Sequence, residues 1–206
     1  MTSLKLRHDN TPLLSRPIAG PKVNQMDTLI FDTAAVLNFG HRGELTYLLK
    51  KISGHFALLT TPGVIAELTD PDREAFYEAL ISELFQVRAA TAAAFDLPTL
   101  ARLAQTIDPG EITVLALAKE LNATAVLDDR AARRQAIDLK IQITGTLGLM
   151  AYAVKNNWTT EAECLEKINH LYNASFSIAR PLPNQSLAQY LKSVQEPARP
   201  KEARRV

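Results

Sequence analysis

The stretch "TAVLDDRAARRQAIDLKIQITGTLGLMAYAVKNN", Thr124 to Asn157, decides the fold class. With Ala123 it opens on the short apolar run "ATAVL", the signature of a strand buried on both faces. Asp128 and Asp129 end that run, and "RAARRQAIDL" then reads as a helix. "IQIT" is a second short strand, and "TLGLMAYAVKNN" a second helix. Strand, helix, strand, helix in close succession calls for parallel strands joined by right-handed helical crossovers.

Moving toward the N-terminus, "TLIF" (Thr28 to Phe31) and "FALLT" (Phe56 to Thr60) are further short apolar runs. Between them Leu45, Leu48, Leu49 and Ile52 fall at i, i+3, i+4, i+7, which predicts one amphipathic helix. Pro62 is placed to open a helix through Val64, Ile65 and Leu68. "REAFYEALISEL" follows as a helix and "FQVRAAT" as a strand. "DPGEITVLALAKEL" is the clearest helix, with Asp108 at the N-cap, Pro109 first inside and Glu111 three residues after the cap. The repeated β-α order predicts a three-layer α/β/α sandwich with a mainly parallel central sheet.

Four segments are expected along the chain. Residues 1–26, with Pro12, Pro17 and Pro21 and no sustained apolar period, read as an extended basic arm. Residues 27–157 form the α/β domain. Residues 158–195 form a helical extension, with Thr160 and Glu163 as a capping box, Ala162, Leu165, Ile168 and Leu171 at intervals of three, and "SLAQYLKSV" as one more helix. Residues 196–206, dominated by charge and proline, read as a disordered tail. No internal repeat is visible.

Composition narrows the class. At 206 residues with 47% hydrophobic content the chain can bury a real core, which rules out a low-complexity or collagen-like protein. The single cysteine, Cys164, forms no internal disulfide and falls in a helical pattern that favours burial. No apolar run is long enough for a membrane span or a signal peptide, so a cytoplasmic protein is the expectation. Net charge is only +1, but its distribution is uneven. Lys5, Arg7, Arg16 and Lys22 against Asp9 leave the arm at +3, the last eleven residues stand at +2, and residues 27–195 at −4. An acidic body between basic tails suits a carboxylate site whose polyanionic partner is held by peripheral cations, and equally suits tails that serve solubility.

In parallel α/β sheets ligands bind outside the carboxyl ends of the strands. The reactive residues at those ends are acidic: Asp32 after "TLIF", Glu67 in the helix after "FALLT", Glu111 in the first turn of its helix, and Asp128 and Asp129 after "ATAVL". Converging carboxylates repel unless cations neutralise them. Hard divalent cations with oxygen ligands, Mg²⁺ or Mn²⁺, meet that need, and one or two of them support metal-assisted phosphodiester hydrolysis. Each acid also has a plain structural reading: Glu111 completes a capping box, Asp32 ends a strand, Glu67 is a solvated helix residue, and Asp128 with Asp129 make a cap and a first-turn acid. The coincidence of all four positions at equivalent strand ends favours a site.

The segments "TLIFDTAAVLNFG", "LTTPGVIAEL", "DPGEITVLALAKE" and "TAVLDDRAARRQAIDLKIQITGTLGLMAYAVKNN", in this order, resemble the PIN domain family, in particular its bacterial and archaeal branch of predicted nucleic-acid-binding proteins related to the VapC-type ribonuclease toxins. The resemblance spans about residues 27–157 and makes that segment a PIN-like nuclease domain. It implies a Mg²⁺- or Mn²⁺-dependent endoribonuclease in which Asp32, Glu67, Glu111 and Asp129 match the catalytic acids. Asp32, Glu111 and either Asp128 or Asp129 would be the metal ligands. Thr33 matches the small hydroxyl residue beside the first acid, while Ala34 and Ala35 depart from the usual Ser or Pro. RNA is the implied substrate, and an antitoxin protein and a second copy of the chain are the implied partners.

Arg130, Arg133 and Arg134 lie at i, i+3, i+4 on one helical face beside Asp129, placed either to contact substrate phosphates or to pair with nearby acids. In "TGTLG" (Thr144 to Gly148) the glycines serve close helix–sheet packing, or the approach of backbone amides to phosphate. His8, His41, His55 and His170 show no ligand spacing. A phosphatase of the haloacid dehalogenase class would need a second acid at the position of Ala34. The other alternative is a catalytically silent PIN-like module that binds nucleic acid or protein, and retention of all four acids argues against it.

Overall fold

The computed structural model describes residues 27–68, 74–91 and 94–174, together with Gln189. The arm 1–26, the "SLAQYLKSV" helix apart from Gln189, and the tail 196–206 lie outside the described residues.

Among the described residues five strands form one sheet: β1 (Thr28–Phe31), β2 (Ala57–Thr60), β3 (Gln86–Val87), β4 (Thr124–Val126) and β5 (Ile143–Thr144). All pairings are parallel, in the order β3-β2-β1-β4-β5. The chain therefore runs outward from β1 through β2 to β3, then returns to place β4 on the other side of β1. That reversal puts the crevice of an open α/β sheet at the carboxyl ends of β1 and β4. "FQVRAAT" contributes only Gln86 and Val87 to the sheet, as a short exposed edge.

The helices are α1 (Thr33–Gly40), α2 (Thr46–Ser53), α3 (Pro62–Glu67), α4 (Glu74–Leu84), α5 (Leu97–Leu103), α6 (Pro109–Leu121), α7 (Arg130–Asp138), α8 (Thr146–Lys155) and α9 (Glu161–Asn173). On one side α1, α2 and α8 pack together and α9 joins α8; elsewhere α3 packs on α6, which lies against β1 and β4. Together they make the α/β/α sandwich. Where one helix was expected between β1 and β2 there are two, separated by a 3₁₀ turn at His41–Gly43. Gly43 has φ of +73°, a conformation that glycine enters without strain and that ends a right-handed helix. Helix α5 had no periodic signal to announce it, since only Leu103 of its seven residues is buried, but Asp96 caps it by accepting from Thr99 N at 2.9 Å. On α9 the buried residues are Cys164, Ile168 and Leu171, a 3.6-residue stripe rather than a strict three-residue one, and the expected capping box is present.

The core lies on both faces of β1. Phe31 is fully buried, with Phe39 6.1 Å and Phe85 5.2 Å away between ring centroids, both edge-on. Leu115, Leu117, Leu127 and Met150 are buried in the same cluster. This apolar mass holds the ends of β1 and β4 rigidly, which matters because the acids follow immediately. Among the described residues no helix is long and apolar enough to cross a membrane.

Candidate active site

Asp32 follows β1 directly and is buried. Its amide donates to Val126 O at 3.2 Å, continuing the β1–β4 ladder, and its Oδ1 accepts from Ala35 N at 2.7 Å, capping α1. Because Phe31 pairs with Val126, Asp32 stands beside the chain that leads into Asp128. Burial pushes the Asp32 carboxyl up to about 8, and the neighbouring charges of Asp128 and, less, Glu111 add to the rise.

The two aspartates after β4 have opposite orientations. Asp129 caps α7, its Oδ1 accepting from Ala131 N at 2.6 Å and Ala132 N at 2.9 Å. Asp128 turns toward α1 and α8. It accepts from Asn38 Nδ2 at 2.8 Å, from Thr146 N at 2.9 Å and from the Thr146 hydroxyl. Its carboxyl is raised by burial, against the lowering effect of these donors and of the Arg133 charge. Asn38 and Thr146 are buried polar residues that the strand-end pattern did not single out. A signal for Asn38 was available: it is the polar residue in an otherwise apolar stretch of α1.

Glu67, exposed at the end of α3, bridges two helix starts. Its Oε1 accepts from Gly110 N at 2.9 Å, and its Oε2 accepts from the Thr33 hydroxyl. Glu111 is half-buried in the first turn of α6 and accepts from Asp108 N at 3.0 Å, so the capping box is real. Burial pushes the Glu111 carboxyl up to about 7, with Asp129, Asp108 and Glu67 as further negative neighbours. The structure therefore brings Asp32, Glu67, Glu111, Asp128 and Asp129 into one electrostatic neighbourhood, and Thr33 ties the first acid's helix to the second acid.

The three arginines separate. The Arg133 Nη1 donates to Leu127 O and Thr144 O, both at 2.8 Å, clamping the ends of β4 and β5. Arg130 and Arg134 are exposed and have no ion-pair partner among the described residues. Gly145 is in extended backbone, and a Cβ there would stand 2.7 Å from Asp128 Oδ1, so close packing accounts for it.

Among the described residues no group of three or more His, Cys, Asp or Glu side chains is arranged, as it stands, to hold a metal ion. Each carboxylate instead spends oxygens on amide or hydroxyl donors. The donor set still fits a hard divalent cation, since it is all carboxylate oxygen and burial raises both Asp32 and Glu111.

Gly110 shows how tightly Glu67 is seated. A Cβ at this position would come within 2.6 Å of Glu67 Oε2. Gly110→Ala is expected to displace the Glu67 carboxylate, the far end of an exposed side chain, and to cost at most about 1 kcal/mol. In a Glu67→Ala background the cost should largely vanish, since the clash is gone. Urea denaturation of the four proteins measures this, and an undiminished cost in the double variant would contradict it.

An all-parallel α/β/α sandwich with acids gathered at the crevice defines the class. A family model described as a PIN domain matches residues 28–192, well over half of the chain, and the chain belongs to the PIN domain family. No curated protein matches it. Among solved structures it is similar to VapBC2 from Rickettsia felis bound to a DNA fragment from their promoter, with 12% identity, a TM-score of 0.46, and 57% of this chain and 98% of that one covered.

Proposed function

We propose that this chain is a Mg²⁺- or Mn²⁺-dependent endoribonuclease acting on single-stranded RNA. The observation that carries the reading is the buried Asp32 carboxyl, set beside Asp128 and Glu111 at the carboxyl ends of β1 and β4. Membership of the PIN domain family supports nuclease chemistry. Asp32, Glu111 and Asp129 would hold the ion; Asp128, with three donors already on its carboxylate, is the weaker candidate for that role. A divalent cation bound here supplies neutralisation of the carboxylates and of the charge that develops on the phosphodiester.

The chain's own groups do the rest. Glu67, held at the mouth by Gly110 N and the Thr33 hydroxyl, accepts the proton of the attacking water. The water oxygen bonds to phosphorus as the bond to O3′ breaks, and O3′ takes a proton from solvent. Products therefore carry a 5′-phosphate and a 3′-hydroxyl. Arg130 and Arg134 receive flanking phosphates, while Arg133 keeps β4 and β5 together. The biological role we attach to this activity is that of a cytoplasmic toxin held by an antitoxin, with the chain paired to a second copy. A neighbouring gene for a small DNA-binding protein, and the mass of the purified protein in solution, would decide those two points.

The test is cleavage of 5′-labelled single-stranded RNA with Mn²⁺ or Mg²⁺ and with chelator. Metal-dependent cutting to 3′-hydroxyl ends is the expected result; ends with 2′,3′-cyclic phosphate would overturn it, since they require attack by the neighbouring 2′-hydroxyl. In the same assay Arg130→Ala with Arg134→Ala should weaken RNA binding and flatten its salt dependence by roughly 0.7 in log–log slope for each phosphate no longer neutralised.

A further inference from the structure

The acidic centre leaves an apolar groove unexplained. It encloses about 470 Å³ between Pro62, Ile65 and Leu68 at α3, Tyr77 and Ile81 of α4, and Val87 of edge strand β3. Ile65 is 37% exposed and Val87 50%, so the groove presents side chains that are more stable covered. Glu74 and Glu78 also line it, and neither has an ion-pair partner among the described residues. The occupant that fits is an extended segment with apolar side chains and positive charge.

This chain carries such a segment. In residues 1–26, Leu13, Leu14 and Ile18 alternate with Arg16, Pro12 and Pro17, and Lys5, Arg7 and Lys22 add charge. Proline favours extended backbone. The segment joins the body at Asp27, whose carbonyl accepts from Ala57 N at 3.1 Å at the head of β2, one strand from β3. The nine residue steps from Ile18 to Asp27 span at most roughly 30 Å, against about 13 Å along the four residues of β2 and about 4.8 Å across to β3, so the groove at the strands' carboxyl ends is within reach. Tethering also sets a local concentration in about the millimolar range, which a separate partner must exceed. The segment lies outside the family-matched residues 28–192.

We propose that residues 1–26 of this chain dock in the groove between α3, α4 and β3, with Leu13, Leu14 and Ile18 on its apolar floor and Arg16 facing Glu74 and Glu78. The experiment uses the full-length protein carrying Val87→Cys, with Ile65→Cys as the second variant if the first does not fold. The native Cys164 is buried and its thiol is pushed up to about 11 by burial, so it does not compete for a maleimide. Labelling is expected to be about tenfold or more slower than in the same chain with Arg7→Glu, Arg16→Glu and Lys22→Glu, and salt should speed it by screening. Mild oxidation of Leu14→Cys with Val87→Cys should give a disulfide within one chain. Labelling that ignores the arm's charge, fast or slow, overturns the proposal, and a disulfide joining two chains assigns the groove to a second copy instead.

Discussion

Asp32→Asn leaves the protein folded and lowers kcat/KM for RNA by about 10²–10³-fold or more, the range seen when one group that stabilises charge at a reacting centre is lost. The amide oxygen of Asn can still accept from Ala35 N, so the α1 cap survives. The negative charge does not survive, and a hard-cation site made of few carboxylates loses one of them. Mn²⁺ titration should therefore show weaker binding in the variant, while far-ultraviolet circular dichroism stays unchanged. Activity within about threefold of the parent, with metal affinity intact, would remove Asp32 from the site.

The same substitution stabilises the metal-free protein at high pH. The Asp32 carboxyl ordinarily titrates at 3.8 and is held at about 8 in the fold, so the folded state prefers the protonated acid. Between those two values the unfolded chain has released a proton that the folded chain keeps, and stability falls as pH rises. The contribution is fully present below about pH 4 and is lost as pH climbs through 8. Glu111, raised to about 7 from 4.5 with a smaller effect because it is half-buried, and Asp128, raised by burial, act in the same direction. For Asp32 the loss is on the order of 5 kcal/mol by pH 9, at about 1.36 kcal/mol for each tenfold change in proton affinity. Urea denaturation in chelator should show wild type weakening steadily from pH 5 to 9, while Asp32→Asn, which keeps only the Asp128 and Glu111 contributions, weakens less and ends the more stable protein. Excess Mn²⁺ should reverse the order at high pH. Parallel pH profiles for the two proteins in chelator would contradict this reading.

Much of the architecture was legible because it is written in local patterns. Apolar runs such as "TLIF" and "ATAVL", too short for helices, read as buried strands, and the caps at Asp108 with Glu111 and Thr160 with Glu163 involve residues three apart, so their geometry follows from the backbone alone. The placing of Asp32, Asp128 and Asp129 just after β1 and β4 is local in the same way, and parallel topology then brings those positions to one edge, whereas Glu67 and Glu111 reach it on helices α3 and α6. The short helix α5 and the break at Gly43 escaped because neither carries an apolar stripe long enough to register.

Side-chain direction at the site belonged to the packed fold. Both Asp128 and Asp129 follow β4, and nothing local distinguishes the cap from the inward acid. The distinction comes from Asn38 and Thr146, which lie 90 and 18 residues from Asp128 in sequence and offer donors only once α1 and α8 are packed. Arg133 shared a helical face with Arg130 and Arg134, yet only Arg133 meets the carbonyls at the ends of β4 and β5. Glu67 reads as a solvated helix residue until Gly110, 43 residues on, presents its amide. A hydrogen bond or a charge acts over a few ångströms, so residues distant in the chain exert it only after strand order and helix packing have set their positions; local pattern settled which groups would gather, and packing settled which of them face one another.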